Sequence, residues 1–163
     1  PTERTLREGE FLILDFGAVV GGYRSDMTRT LAIGRCDDSM RAIYDLVLKA
    51  HDSALESYRA GELARRVDSV ARSIIEAEGH AEHFGHGLGH GVGIAVHEAP
   101  VLGPHSEARL ESGMTVTVEP GIYIPGWGGV RIEDLVVVGD DGCEILTGSP
   151  RELIVAGSGR SFR

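Results

Sequence analysis

The segment from His83 to Glu98 combines four histidines with five glycines. Imidazole side chains bind transition metals and transfer protons near neutral pH, so such a cluster is a candidate metal or catalytic site. Glycine lets the backbone pass close to other atoms, and we expect these glycines where the chain approaches metals and substrate. A solvated, histidine-rich surface loop is the alternative interpretation, and the remaining sequence has to distinguish the two.

Four carboxylates elsewhere in the chain stand in segments that are otherwise apolar or typical of strands. They are Asp15 in LILD, Asp26 in GYRSDMTRT, Glu119 in MTVTVE and Glu133 in GGVRIEDLVVV. A carboxylate in a buried strand is costly unless it is paired or bound to a metal. A salt bridge or a strand edge explains one such residue, whereas four of them beside a histidine cluster indicate a shared site.

Two of these carboxylates, Asp15 and Asp26, flank the pair Gly21-Gly22, which is typical of a hairpin turn. Pairing of the two strands could bring the carboxylates side by side, where two ionised groups repel and a divalent cation removes the repulsion. Two further carboxylates and one imidazole complete a ligand set typical of a two-metal site. A carboxylate-rich set without thiolates favours manganese, cobalt or zinc over a structural zinc ion.

The composition limits the partners of the chain. Lys and Arg number 16 against 25 Asp and Glu, and the net charge of −9 argues against nucleic acid, which requires a basic surface. No apolar run approaches the roughly 20 residues that span a bilayer, so we expect no membrane segment. Cys36 and Cys143 lie far apart and form no CxxC motif, which favours reduced thiols and a cytoplasmic protein.

The elements that must position these residues follow the order strands, two helices, strands. FLILD and the alternating MTRTLAI read as strands around the glycine hairpin. Apolar residues at three- and four-residue spacing predict helices over residues 37–59 and 62–78, the second ended by Gly79. After a loop around Pro100, the segments MTVTV, GIYI, GGVRIEDLVVVG and CEILT read as strands. This order indicates an α+β domain, with helices packed on one face of an antiparallel sheet.

Four segments of the chain resemble the signature blocks of a known family, in the same order. LDFGAVVGGYRSDMTRT, GHGLGHGVGIAVHEAP, TVTVEPGIYIPG and GGVRIEDLVVV look like those of the Xaa-Pro dipeptidases (prolidases) and aminopeptidase P. These enzymes belong to peptidase family M24, the creatinase and methionine aminopeptidase group. The resemblance implies the pita-bread fold, a curved antiparallel sheet with helices on its outer face. Arg131 in GGVRIED matches the Xaa-Pro pattern and implies peptide substrates with proline in the second position.

The resemblance also implies a ligand set for two divalent metal ions, Mn²⁺ first and Co²⁺ or Zn²⁺ as alternatives. Asp15 would bind one metal and Asp26 would bridge both. His90 and Glu119 would bind the other metal, and Glu133 would bridge the pair from below. A water or hydroxide between the metals would be the nucleophile, with its pKa lowered by both cations.

Further residues match family positions that act on the substrate. Glu119 would move a proton from the attacking water to the leaving nitrogen. His86 and His97 would contact the scissile carbonyl and the proline end, and would stabilise the tetrahedral intermediate. Tyr123 and Arg131 would either orient the metal ligands or contact the substrate. We expect Arg131 to act in catalysis as well.

The chain departs from the family pattern at its start. Family members carry an N-terminal domain, the first part of the pita-bread unit and a further catalytic histidine ahead of the first metal-binding aspartate. We therefore expect residues 1–157 to be the C-terminal catalytic portion of a longer protein, incomplete at its N-terminus, and residues 158–163 to be a tail. The full-length protein is expected to form a homodimer.

Two functions are compatible with the sequence: an Xaa-Pro metallopeptidase, and a truncated or metal-free relative that acts as a binding module. The complete set of five metal ligands favours the enzyme. Whether the enzyme is a prolidase or an aminopeptidase P stays open.

Some histidines and acids have simpler interpretations. His80 and His83 read as helix-end or loop residues, and His105 as a solvated loop residue. His51 lies on the apolar face of the first predicted helix and reads as a core or boundary residue. Asp134 follows Glu133, and strand alternation turns it to the opposite face, so we expect a structural role for it.

Overall fold

The computed structural model describes residues 3–157, and the predicted tail lies outside these residues. Twelve strands and two long helices follow one another in the predicted order. The strands are β1 (Phe11–Phe16), β2 (Val19–Val20), β3 (Tyr23–Arg24), β4 (Met27–Ile33), β5 (Gly89–Gly91), β6 (Glu98–Leu102), β7 (Thr115–Val118), β8 (Gly121–Ile124), β9 (Gly128–Arg131), β10 (Asp134–Val138), β11 (Cys143–Ile145) and β12 (Ile154–Ala156). The helices are α1 (Asp38–Leu55) and α2 (Ala64–Ala77), with a 3-10 turn at Ala81–His83.

Both predicted helices are confirmed, and both are shorter than predicted. Helix α1 begins where the Asp37 side chain accepts a hydrogen bond from the Met40 backbone N–H at 2.9 Å, which satisfies a free donor of the first turn. Helix α2 ends at Ala77, two residues before Gly79, whose φ of +83° favours glycine over other residues.

Two sheets carry most of the strands. In the first, the order is β1-β4-β12, with β1 antiparallel to β4 and β12 parallel to it. In the second, the antiparallel order is β11-β10-β7-β5-β6. The α+β class is therefore confirmed, although the strands divide into more than one sheet and include one parallel pair.

The core lies between the helices and the second sheet. Helix residues such as Val47 and Val67 pack in one buried cluster with Val116 and Val136 of the sheet. The hydroxyl of fully buried Tyr58 donates to the Thr117 carbonyl at 2.8 Å, which ties the end of the helix layer to β7. The apolar faces of both helices therefore stabilise the sheet from one side.

Three strand predictions require correction. The segment GGVRIEDLVVVG is not one strand, because the Glu133 N–H donates to the Thr28 carbonyl at 3.0 Å and draws the chain toward β4 between β9 and β10. The predicted loop around Pro100 contains β6, an edge strand, where the missing N–H of proline is tolerated. Strand β12 was not predicted.

Among the described residues, no helix is long and apolar enough to cross a membrane.

Candidate metal centre

Three predicted ligands meet at the junction of the two sheets. One donor atom each from Asp26, His90 and Glu133 lies within 4.8 Å of the other two. Asp26 directly precedes β4, His90 lies in β5, and Glu133 lies between β9 and β10. The two sheets therefore supply a shared cluster of two carboxylates and one imidazole.

Glu133 is the most buried of the predicted ligands, with 2% of its surface exposed. Its Oε2 accepts a hydrogen bond of 2.6 Å from the hydroxyl of Thr28. Burial, together with the negative charges of Glu119 and Asp26, raises the pKa of Glu133 to about 8. Without a cation beside it, this carboxyl group holds a proton at neutral pH.

His90 presents one ring nitrogen to the cluster. Its Nδ1 lies 3.0 Å from the carbonyl of Gly91, and because a carbonyl can only accept, Nδ1 carries the proton. Nε2 faces Glu119 at 3.2 Å and Asp26 at 3.7 Å. Burial opposes a charge on the ring, but the hydrogen bonds to Glu119 and Gly91 outweigh it and raise the pKa of His90 to about 9. Metal binding would require Nε2 to lose its proton.

Glu119 follows β7, and hydrogen bonds hold both its backbone and its side chain. Its backbone N–H donates to the Leu88 carbonyl at 2.8 Å, and its carboxylate accepts from the Thr117 hydroxyl at 3.0 Å. The same hydroxyl lies 3.0 Å from the backbone N–H of His90. Thr117 thus connects two predicted ligands, a role that was not predicted from the sequence. The alternation in TVTVE was the available signal, since it places Thr117 and Glu119 on one face of the strand.

Asp15 and Asp26 lie in and beyond the predicted hairpin, which the structure confirms. Gly21 and Gly22 have φ values of +60° and +90°, as a tight turn between β2 and β3 requires. The register pairs Asp15 with Thr28, two residues from Asp26. Burial and then the charge of Asp15 raise the pKa of Asp26. Asp15 itself is 54% exposed and accepts a 2.5 Å ion pair from Arg131.

The donors fit divalent cations. The cluster offers carboxylate oxygens and one imidazole nitrogen, the donor types that divalent catalytic metals accept. Burial and the neighbouring carboxylates raise the pKa of both Asp26 and Glu133, and with a pKa of about 8 Glu133 holds a proton in the metal-free site. Two bound cations would balance the negative charge of the carboxylates in place of protons, so metal binding would release protons from the site.

A chain of hydrogen bonds runs from the histidine cluster to Asp15. His86 Nδ1 donates to the Gly87 carbonyl at 2.8 Å, and His86 Nε2 lies 3.0 Å from the Tyr123 hydroxyl. The Tyr123 oxygen in turn accepts from Arg131 at 2.9 Å, and Arg131 reaches Asp15. Burial raises the pKa of Tyr123, and the hydrogen bond from Arg131 opposes that shift.

The predicted substrate-side residues and two ligands share one cavity of about 560 Å³. Its lining includes His86, His90, His97, Glu119 and Arg131. His97 is exposed, and its ring stands edge-on to that of His90 with 4.3 Å between centroids. A volume in this range is typical of small-molecule sites.

The glycines of the histidine segment serve the sheet. A Cβ at Gly89 would lie 2.1 Å from the carbonyl oxygen of Thr117, and one at Gly91 would lie 2.2 Å from that of Ala99. These glycines therefore let neighbouring strands approach, which corrects the expectation that they serve the approach to metals and substrate. Gly85 has open space around it and carries no such constraint.

The simpler interpretations of three other residues hold in the structure. His51 is fully buried in α1, and Asp134 is buried on the opposite face from Glu133, with a 2.6 Å ion pair to Arg29. His80 lies at the helix end and pairs with His83 through Nδ1 atoms 3.0 Å apart. Of the predicted site residues, all nine lie around the cavity, the ligand cluster or the hydrogen-bond chain that joins them.

The fold and the cluster of two carboxylates beside one imidazole point to a class of metal-dependent proteins. Residues 1–140 match metallopeptidase family M24. The chain belongs to this family.

Relatives of known structure share its pita-bread fold. The chain is 49% identical to an Xaa-Pro dipeptidase from Bacillus anthracis, with a TM-score of 0.93 over 94% of this chain and 43% of that one. It is 41% identical to an X-Pro aminopeptidase from Thermotoga maritima, with a TM-score of 0.92 over 95% and 44%. It is 42% identical to the Xaa-Pro dipeptidase of Pyrococcus furiosus over 94% of this chain. The chain spans 44% of that relative's length.

Proposed function

We propose that the chain carries the metal centre and part of the substrate site of an exopeptidase that hydrolyses Xaa-Pro bonds. The observation that carries the proposal is the meeting of Asp26, His90 and Glu133 beside a cavity lined by His86, His97 and Arg131. Relatives that bear the names dipeptidase and aminopeptidase support it equally, so the proposal covers both types.

Asp15, Asp26, His90, Glu119 and Glu133 would hold two divalent ions, with Mn²⁺ preferred and Co²⁺ or Zn²⁺ as alternatives. When bound, such a pair activates a water molecule for attack on the peptide carbonyl. The five side chains supply four negative charges once Glu133 and His90 have lost their protons. That charge is equal in magnitude and opposite in sign to the charge of two dications.

Glu119 is proposed to carry the proton. Its carboxylate lines the cavity and is fixed by the Thr117 hydroxyl, so it can accept a proton from the attacking water without reorientation. The same oxygen can then deliver the proton to the departing nitrogen, as general acid–base catalysis of amide cleavage requires.

The remaining side chains are proposed to hold the peptide. His86 is oriented by Gly87 and Tyr123, and its ring lies on the cavity wall, where it can contact the scissile carbonyl or the proline end of the peptide. His97 is exposed beside His90 and can reach the substrate from the opposite side. Arg131 supplies a positive charge next to the developing negative charge of the tetrahedral intermediate.

We extend the proposal to the full-length protein as a cytoplasmic homodimer. We propose the cytoplasm because the two cysteines are far apart in the sequence, which favours reduced thiols. The acidic net charge disfavours nucleic acid as a partner. A metal-free binding module on the same fold is the alternative function. The complete ligand set disfavours it.

The test uses the full-length protein that contains this chain. Metal analysis should find two divalent ions per protomer, and added Mn²⁺ should support hydrolysis of an Xaa-Pro dipeptide, a longer Xaa-Pro peptide or both. The ratio of the two rates distinguishes prolidase from aminopeptidase P. Absence of any hydrolysis with Mn²⁺ present would refute the enzyme and favour the binding module.

A pair of aspartate variants tests the ligand assignment. Asp26→Ala should abolish turnover and reduce the bound metal, because it removes a carboxylate from the cluster. Asp45→Ala is the matched control, since Asp45 is an exposed helix residue whose ion pair with Arg41 spans 4.0 Å. Full turnover in Asp26→Ala would show that the assignment is wrong.

A further inference from the structure

Arg29 is a buried cation directly behind the proposed metal centre. Only 7% of its surface is exposed. Because arginine is rarely buried without partners, this side chain requires groups that balance its charge. It follows Thr28 in β4, so its side chain leaves the opposite face of the strand from the hydroxyl that holds Glu133.

All five N–H groups of the Arg29 guanidinium find acceptors. Nη1 donates to the carbonyls of Thr28 at 2.9 Å and Glu133 at 2.6 Å. Nη2 donates to Asp134 Oδ1 at 2.6 Å and to the Ser149 carbonyl at 2.8 Å. Nε donates to the Pro150 carbonyl at 2.8 Å. The guanidinium therefore joins β4, the Glu133–Asp134 segment and the chain that leads to β12.

The Glu133 backbone depends on these bonds. Glu133 lies between β9 and β10, outside both, and its N–H and carbonyl are held by Thr28 and Arg29 respectively. Because a side chain follows its backbone, a carboxylate that must lie between two metals needs this peptide to be fixed.

The charge of Arg29 is balanced by Asp134, which is not one of the proposed metal ligands. Asp134 is 0% exposed and receives the ion pair from Arg29. His51 Nε2 lies 3.3 Å from the other Asp134 oxygen, and the Arg151 side chain lies 3.7 Å from it. A buried pair with further partners is stable, whereas removal of one member leaves an uncompensated charge.

We propose that Arg29 is a positioning residue for metal binding, which it supports by fixing the peptide of Glu133 from the face opposite the metals. The inference rests on the proposed function, because Glu133 matters as a ligand only if the centre binds metal. The planar fork of five donors is essential to this role. Lysine keeps the charge but offers three donors from one atom, so it cannot replace the bonds to Glu133, Asp134 and Pro150 together.

The experiment measures Mn²⁺ binding by calorimetry to the metal-free, full-length protein, which requires no substrate. Arg29→Lys should weaken Mn²⁺ affinity by about 10- to 100-fold, the range that loss of a residue supporting a metal ligand produces. The Mn²⁺ concentration for half-maximal hydrolysis should rise by the same factor, and excess Mn²⁺ should restore part of the rate.

Tyr44→Phe is the matched control. Its hydroxyl donates to the Arg151 carbonyl at 2.7 Å, so it holds the same C-terminal segment but does not contact Glu133. Arg29→Lys with weakened Mn²⁺ binding and Tyr44→Phe with normal binding would support the inference. Normal binding in Arg29→Lys, or an equal loss in both variants, would overturn it.

A second variant covers the case in which Arg29→Lys does not fold. Asp134→Asn keeps an acceptor for Arg29 but removes the charge that orients it, so Mn²⁺ affinity should fall severalfold; unchanged affinity would overturn the inference. These outcomes are separate from failure of the proposed function, which would appear in the unaltered protein as absence of Mn²⁺ binding or of hydrolysis.

Discussion

Addition of metal to the metal-free protein should release protons, because the site holds protons where cations would otherwise balance its carboxylates. The pKa of Glu133 is raised to about 8 and that of His90 to about 9. A metal ligand must present a carboxylate or a neutral imidazole, so both groups have to deprotonate when Mn²⁺ binds.

The number of protons follows from these two values. At pH 7 a group with a pKa of about 8 is about 90% protonated, and one with a pKa of about 9 is about 99% protonated. Glu133 and His90 should therefore release about two protons per protomer when the site fills. Ionisation of a bound water can only add to this number. Since protons and metal compete, overall affinity should rise about 100-fold between pH 6 and pH 7.

Calorimetry in buffers of different ionisation enthalpy measures this number directly. The observed enthalpy of Mn²⁺ binding at pH 7 should vary linearly with the buffer enthalpy, with a slope of about two protons or more. A parallel titration at pH 6 should show the weaker affinity. A slope below one, or an affinity that does not change between the two pH values, would refute the protonated state inferred for the metal-free site.

Two further predictions concern stability, measured by denaturant unfolding of the metal-free protein. The raised pKa of Glu133 means that the folded state binds its proton more tightly than the unfolded state, so this contribution is present at low pH and is lost as pH rises toward about 8. The unfolding free energy should therefore fall by up to about 1.4 kcal/mol per pH unit between pH 5 and 8 on account of this group, and Glu133→Gln should remove that part of the slope; an unchanged slope would contradict the assignment. Gly89→Ala should cost about 1–3 kcal/mol or more, because its Cβ meets a backbone oxygen at 2.1 Å, while Gly85→Ala has open space and should be nearly neutral. Equal effects at both glycines would argue against the close approach of β5 and β7.

Four of the five proposed ligands, the carboxylates, could be singled out from the sequence because each breaks a local rule, whereas His90 was chosen among the histidines by the resemblance to the family. Asp15, Glu119 and Glu133 are acids in segments that otherwise favour buried strands, and the cost of burying a carboxylate makes such exceptions informative. The partners that hold these ligands were not found, although Thr28 and Arg29 break the same rule in MTRTLAI. A hydroxyl or a guanidinium in a buried strand needs a partner just as a carboxylate does.

The strand break at Glu133 could not be predicted, because GGVRIEDLVVVG has the composition of one continuous strand. The partner that interrupts it is the Thr28 backbone, 105 positions away in the chain, and local propensity carries no information on such a contact. The edge strand β6 was missed for a related reason. Pro100 disfavours a strand by itself, and only the position at the edge of the sheet makes it acceptable.

Alternation along two neighbouring segments explains how the site and its support arise together. Thr28 and Glu133 meet on the side of the proposed metal centre, and Arg29 and Asp134 meet on the other side, with 2.6 Å contacts in both pairs. Because side chains alternate with a period of two, the same pairing register sets both contacts. A shift of one residue that brought Asp134 to the position of Glu133 would bring Leu135 to the position of Asp134, so Arg29 would lose its carboxylate partner. The shorter aspartate side chain would also withdraw the carboxylate from the cluster. The Arg29–Asp134 ion pair therefore opposes the one register error that would leave an acid in place and still disrupt the proposed centre.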